Sequence, residues 1–412
     1  MSNAAPSSPA SAASAPSNLN KGFVISLLFA SHFLTYLDRA VMATAIPFIS
    51  AEFGLSSVAA GSVLSAFFFG YALMQIPAGI LADRFGPARL LLTAVILWTI
   101  FTGMTGLVHS LAAMIVVRVL FGLSEGPAPA GVSKTIASVF PREQIGRTNG
   151  VVLSATLLGS AAAPAFVTTI VLHWGWRGAF LSLLAPGFLL ALAVYRVLGR
   201  SPELAPAKHQ AERKDIGGSG ESAWKTVLGS SQMRWCLATT FIASCVNWGL
   251  QNWLPTYLLK ARGFGIAEMG MFASVPYAAG ALGYLLGGYA GDRLFVGRRN
   301  ILVLLCFITS AASTYAAAVA SNGGIAVAFM TVTFLMLSMG LSNLFSLPLL
   351  LVPVTAVGRS FGVINTGAQI AGFVSPLLIG AVLDASNQNF SLVLYLVVGL
   401  LVASGITASR IR

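Results

Sequence analysis

Stretches of about 20 apolar residues recur along the whole chain, each long enough to carry a helix through about 30 Å of hydrocarbon. No other feature narrows the fold so far, because lipid offers no partners to backbone N–H and C=O groups and a helix pairs its own. Composition enters only as agreement. Of 412 residues, 56% are apolar and 9% charged, against about 25% charged in an ordinary soluble domain. A chain of this kind has no large water-facing surface. The 42 glycines suit helices that approach one another closely in lipid. The sequence predicts an all-α membrane protein with 12 transmembrane helices.

The apolar runs place helices at 22–48, 58–82, 88–108, 111–139, 149–172 and 177–199, then at 233–259, 269–290, 299–320, 324–354, 360–384 and 389–409. Between the two sets, residues 200–230 are charged and rich in Pro and Gly, and read as a cytoplasmic linker. Residues 1–20 form a Ser/Ala/Pro tail without an apolar face, expected to be disordered in the cytoplasm. They are not a signal peptide, since the run after Lys21 is too long and contains Asp38 and Arg39. Two halves follow, 21–199 and 231–412.

Twenty-four Lys and Arg against twelve acids give a net charge of +12. With both termini cytoplasmic, 19 of these cations lie on that side and three, Arg177, Lys260 and Arg262, on the other, with Arg39 and Arg118 left in the membrane. This asymmetry is the positive-inside pattern. The excess orients the protein rather than serving nucleic acid. A bacterial-type inner membrane is the expected location. Cys236, Cys245 and Cys306 fall in or near spans without disulfide or metal spacing, so no metal or other cofactor is expected.

The halves repeat in parallel. Gly146, Arg147, Gly150, Val151 and Pro164 match Gly358, Arg359, Gly362, Val363 and Pro376, each pair 212 residues apart. A second echo joins GILADRFGPARLLL, from Gly79, to GYAGDRLFVGRRNILV, from Gly288. Two six-span halves related by an axis along the membrane normal are the architecture of a carrier.

Charge inside the membrane is scarce and therefore informative. On this topology only Asp38, Glu125, Arg39 and Arg118 lie deep, each costing about 2.5–3.5 kcal/mol on insertion scales. Asp38 and Arg39 are adjacent and project about 100° apart, so they serve different neighbours. Arg118 and Glu125 are two turns apart and share a face. Arg39 is a planar fork suited to an anion and keeps its proton at any working pH; it is the expected substrate ligand. Glu125 is the expected proton carrier, because burial favours its neutral form and a nearby Arg its charged form. Asp38 would be the second protonatable group, and Arg118 the partner that senses Glu125. The competing reading is a set of ion pairs that lock two helices together.

Other polar positions are candidates for the cavity wall. Tyr36 lies at a suitable depth. Asn247 and Gln251 share a face with Trp248, as do Asn365 and Gln369 with each other. Asn343, near Ser346, either faces the cavity or bonds a neighbouring helix. Asp83, Arg84, Asp292 and Arg293 sit at helix ends and read as gating groups that hold the cytoplasmic side shut across the two halves in one state.

GILADRFG resembles the loop signature Gly-x-x-x-Asp-Arg-x-Gly of the major facilitator superfamily, and RVLFGLSEG resembles its Arg-x-x-x-Gly element. Within it, the Asp38-Arg39 pair, the Glu125-Gly126-Pro127 run and NWLPTYL at 252–258 resemble the anion:cation symporter branch, which includes carriers of sugar acids and phthalate. The resemblance covers the chain after residue 20. It implies the major facilitator fold, assigns the Asp, Arg and Glu tasks like those above, and places Tyr71 in the substrate site. Two departures stand out. Pro87 and Ala88 interrupt the basic residues usual after Gly86, and Thr156 stands where sugar-acid carriers often have an amide. The latter points away from heavily hydroxylated substrates.

The expectation is import of a small organic anion, a carboxylate, sulfonated carboxylate or sugar acid, by proton symport with alternating access in a monomer; sodium coupling is the lesser option, and no enzyme activity is expected. Proton-coupled efflux of drugs or metabolites is the alternative, against which the lone Pro164 in GSAAAPAF argues.

Overall fold

The computed structural model describes residues 19–199, 201, 204, 229–347 and 357–411; the tail and linker expected at 1–20 and 200–230 lie almost wholly outside them. The N-terminal half comprises α1 (Lys21–Phe53), α2 (Ser57–Phe85), α3 (Pro87–Thr105), α4 (Leu111–Glu125), α5 (Ala128–Val139), α6 (Arg142–Ser182) and α7 (Leu184–Val197). The C-terminal half comprises α8 (Ser231–Thr256), which ends in a π-turn (Tyr257–Ala261), then α9 (Ile266–Arg293), α10 (Arg299–Val319), α11 (Gly323–Ser346), α12 (Val357–Ala385) and α13 (Phe390–Ala408).

These helices make twelve crossings. Among the described residues ten segments are long and apolar enough to span a membrane, and one of them, Glu143–Val197, holds two crossings that part at Gly175, whose φ of 67° turns the chain back. Ser231–Thr256 completes the twelve; Asn247, Gln251 and Asn252 keep its hydropathy low. The fourth crossing is two helices rather than one continuous run, because Pro127 has no N–H to carry the ladder past Gly126. Side-chain caps start several helices: Asn20 accepts from Gly22 and Phe23, Ser56 from Ala59, and Asn322 from Gly324 and Ile325. Pro87 finds its reason here. It is the first residue of α3, directly after Gly86 at φ 81°, where its missing N–H costs nothing.

Within the N-terminal half α1 lies along α6, and α2 lies along α4. The second seam is the closer, for a Cβ on Gly122 would stand 2.1 Å from the Phe67 carbonyl oxygen. The halves meet where α2 lies on α12, α6 on α9 and α1 on α8. At the end of the bundle away from the start of α1, the Asp384 carboxylate accepts from the N–H groups of Ser57 and Val58 at 2.8 and 2.9 Å. Gln388 donates to the Ser57 hydroxyl at 2.8 Å, and deeper in, the Ser65 hydroxyl donates to the Phe373 carbonyl at 2.6 Å. That end is latched across the two halves. At the opposite end Lys134 holds Asp83 at 2.5 Å and Arg299 holds Asp292, each pair within its own half, where the sequence had suggested contacts between halves.

Candidate functional site

The site lies at the seam, midway along α1. Its anchor is Arg39, whose Nε donates to Glu125 Oε1 at 2.6 Å, with a second nitrogen on the same oxygen. Three aromatic rings enclose the guanidinium: those of Tyr36, Phe67 and Tyr71 lie 4.7, 4.8 and 4.6 Å from Cζ. Cation–π contact of this kind is strongest where water is excluded. Glu125 is 1% exposed, and its Oε2 has no hydrogen-bond partner among the described residues.

Asp38, one residue earlier, turns elsewhere. It is buried beside Thr102 of α3 and within electrostatic reach of Arg118 and Glu125. Its Oδ1 likewise has no partner among the described residues. Arg118 lies over Phe121 at 4.6 Å and near Phe67 at 5.5 Å, and its Nε is unpaired among the described residues. Arg118 and Glu125 do share the buried face of α4, yet the group bonded to Glu125 is Arg39. The close α2–α4 seam brings the Phe67 ring against both guanidinium groups.

A pocket opens beside these groups. Tyr36, Arg39, Phe67, Phe68, Arg118 and Ser160 line it from the N-terminal half, and Trp248, Gln251, Asn252 and Tyr277 from the other. Gln251 donates to Asn247 at 2.9 Å and receives the Tyr277 hydroxyl on its backbone carbonyl at 2.6 Å. Asn252 donates to the Trp248 carbonyl at 2.8 Å. Thr156 lies next to Tyr36, close enough to interact with its hydroxyl.

The remaining candidates fall outside this wall. Tyr71 and Asn247 stand one layer behind it, supporting Arg39 and Gln251. Asn365 reaches across the halves to Gln75 at 3.4 Å, and Gln369 is buried with its oxygen unpaired among the described residues. Asn343 donates to the Gly287 and Met339 carbonyls at 2.8 and 3.0 Å and so stitches α11 to α9, which corrects its candidacy as a cavity residue. Ser346 accepts from Arg299. Arg84 lies over Phe85, and Arg293 is exposed at the end of α9. Sequence reasoning missed Phe67, Phe68, Ser160, Asn252 and Tyr277. Ser160, one turn beyond Thr156, and Asn252, an amide that opens NWLPTYL, carried usable signals.

Twelve crossings in two halves around a buried, charged, two-sided pocket define a membrane carrier. Residues 28–376 match the model of the Major Facilitator Superfamily, and the chain belongs to that family; it is a multi-pass transporter protein and not an enzyme. The probable sulfoacetate transporter of Cupriavidus necator is 31% identical to it over 89% of this chain and 88% of that one. The hexuronate transporter of Bacillus subtilis is 26% identical, with 94% and 93% covered. Among solved structures, a bacterial homologue of the human lysosomal transporter Spinster, inward-facing and occupied, superposes with a TM-score of 0.76 at 18% identity, covering 95% of each chain. A D-xylose–proton symporter gives 0.77 at 14% identity, covering 95% of this chain and 97% of that one. These structures share the fold.

Proposed function

We propose that the protein imports a small organic anion together with a proton, by alternating access, across a bacterial inner membrane with both termini in the cytoplasm. The observation that carries this is the Arg39–Glu125 pair. An anion entering the pocket and the Glu125 carboxylate compete for the same guanidinium donors. Protonation of Glu125 removes the competitor and frees Arg39, so proton and anion bind together. Charge-assisted hydrogen bonds of this kind are worth about 1.5–3 kcal/mol each, enough for strong linkage. Affinity for the anion is therefore expected to rise as pH falls. Asp38, beside Arg118, serves as a second proton site. A neutral, loaded pocket avoids burying two carboxylates and an anion together when the halves rock. Curated relatives named as carriers of sulfoacetate and sugar acids support an anionic substrate. One chain supplies both walls, in keeping with a working monomer.

The test is uptake of a labelled organic-anion panel into proteoliposomes with an inside-alkaline gradient, for wild type and Glu125→Gln. Wild type should concentrate one class of anion; the variant should exchange it but no longer accumulate it. Expulsion of apolar cations against a proton gradient, with no anion moved, would overturn the reading in favour of efflux.

A further inference from the structure

Two helices interrupted by proline meet at the C-terminal wall of the pocket. Pro255 lies inside α8 and has no N–H to give to the Gln251 carbonyl, one turn back. A carbonyl left open inside a membrane span is costly. This one is met from another helix: the Tyr277 hydroxyl of α9 donates to it at 2.6 Å. Tyr277 itself follows Pro276, and its ring stands edge-on to Phe334 of α11 at 5.5 Å. The tyrosine is buried, and both it and Gln251 line the pocket. Around and beyond Pro255, α8 is thinly bonded. It widens into the π-turn, and the buried Trp253 Nε1 and Thr256 Oγ1 have no partner among the described residues. Its far tip is held separately, by Arg262 on the Tyr257 hydroxyl and the Ala320 carbonyl, each at 2.6 Å.

Resting on the import reading above, we infer that Tyr277 is a positioning residue, whose hydroxyl stands in for the N–H that Pro255 lacks and so sets the course of α8 at Gln251 and Asn252. An ordinary ladder bond would tie residue 251 to residue 255 of the same helix. The tyrosine ties it to α9 instead, so this wall is placed by the packing of the C-terminal half and not by the stiffness of α8. A helix bends where a proline interrupts it, and the side chains around the bend move with it. Gln251 and Asn252 are the two amides of the pocket wall, and their placement rests on that hydroxyl. A bond that only added stability would be missed equally whatever stood at 255. A stand-in is missed only while the proline is there.

The experiment is a double-substitution cycle on the full chain, with Tyr277→Phe, Pro255→Ala and the two combined. One readout is hydrogen–deuterium exchange of the amides of residues 252–262 in the purified protein without substrate. The other is KM and Vmax in proteoliposomes for the member of the labelled organic-anion panel that wild type concentrates. Tyr277→Phe should speed exchange in that segment about fivefold or more, the weight of one hydrogen bond. It should raise KM by a similar factor with Vmax within about twofold of wild type. On the Pro255→Ala background the same change should alter neither. Tyr289→Phe, which takes the hydroxyl from an exposed tyrosine of α9, should match wild type in both. Unchanged exchange in Tyr277→Phe, or an effect of equal size with and without Pro255, overturns the inference. So does faster exchange with KM unmoved, which would make the bond structural only. Should Pro255→Ala fold poorly, Tyr277→Phe set against Tyr289→Phe still decides. A wild type that moves no organic anion would sink the import reading, while the exchange cycle would still decide whether Tyr277 replaces the missing N–H.

Discussion

Arg39 makes demands that no other cation meets. It lies among three rings and donates from one edge to Glu125, which takes a planar fork rather than a point charge. Arg39→Lys keeps the charge and loses the geometry, so initial uptake rates in proteoliposomes should drop at least about tenfold; a wild-type rate would mean that charge alone suffices. Asn343 offers the opposite case. Its hydrogen bond to the Gly287 carbonyl joins α11 to α9 away from the pocket, so Asn343→Ala should lower thermal stability by about 1–3 kcal/mol while KM for the transported anion stays put. A raised KM with unchanged melting would return Asn343 to the substrate wall.

At the scale of elements, the site depends on how near α2 comes to α4. Gly122 lets the Phe67 backbone approach, and that approach sets the Phe67 ring within reach of both arginines. Gly122→Ala puts a methyl group where the Phe67 carbonyl oxygen already is, and overpacking of this sort costs about 1–3 kcal/mol or more. Gly146→Ala, with nothing within 4 Å of its added Cβ, should melt like wild type. Comparing the two melting curves tests whether the seam, rather than glycine as such, matters. The same scale shows what was legible. Four charges stood out because apolar runs leave them nowhere to hide, and twelve crossings followed from hydropathy. The Arg39–Glu125 bond, between residues 86 apart, did not, since it depends on how two helices are rotated against each other. Phe67 and Tyr277 went unnoticed because aromatic side chains commonly fill helix seams.

At the scale of the whole molecule, the two halves are latched at one end by Asp384 and Gln388 on the start of α2. A carboxylate at a helix N-terminus is favourable, and here it belongs to the other half, so the alternating access proposed above has to break it. Asp384→Ala should shift spin-label distances between the far ends of α1 and α8 towards longer values. An unchanged distribution would show that the latch does not hold this end closed.

The sequence by itself determined a twelve-crossing helical carrier of two repeated halves, with four charges placed deep in its spans. Lipid penalises unpaired backbone and stray charge residue by residue, so those properties are written locally. Tertiary structure alone decided which acid Arg39 holds, that the Arg118 Nε finds no partner among the described residues, that Asn343 is a stitch between helices, and which end is latched. Those outcomes turn on the rotation and closeness of helices far apart in the chain, which a helical repeat of apolar residues does not specify.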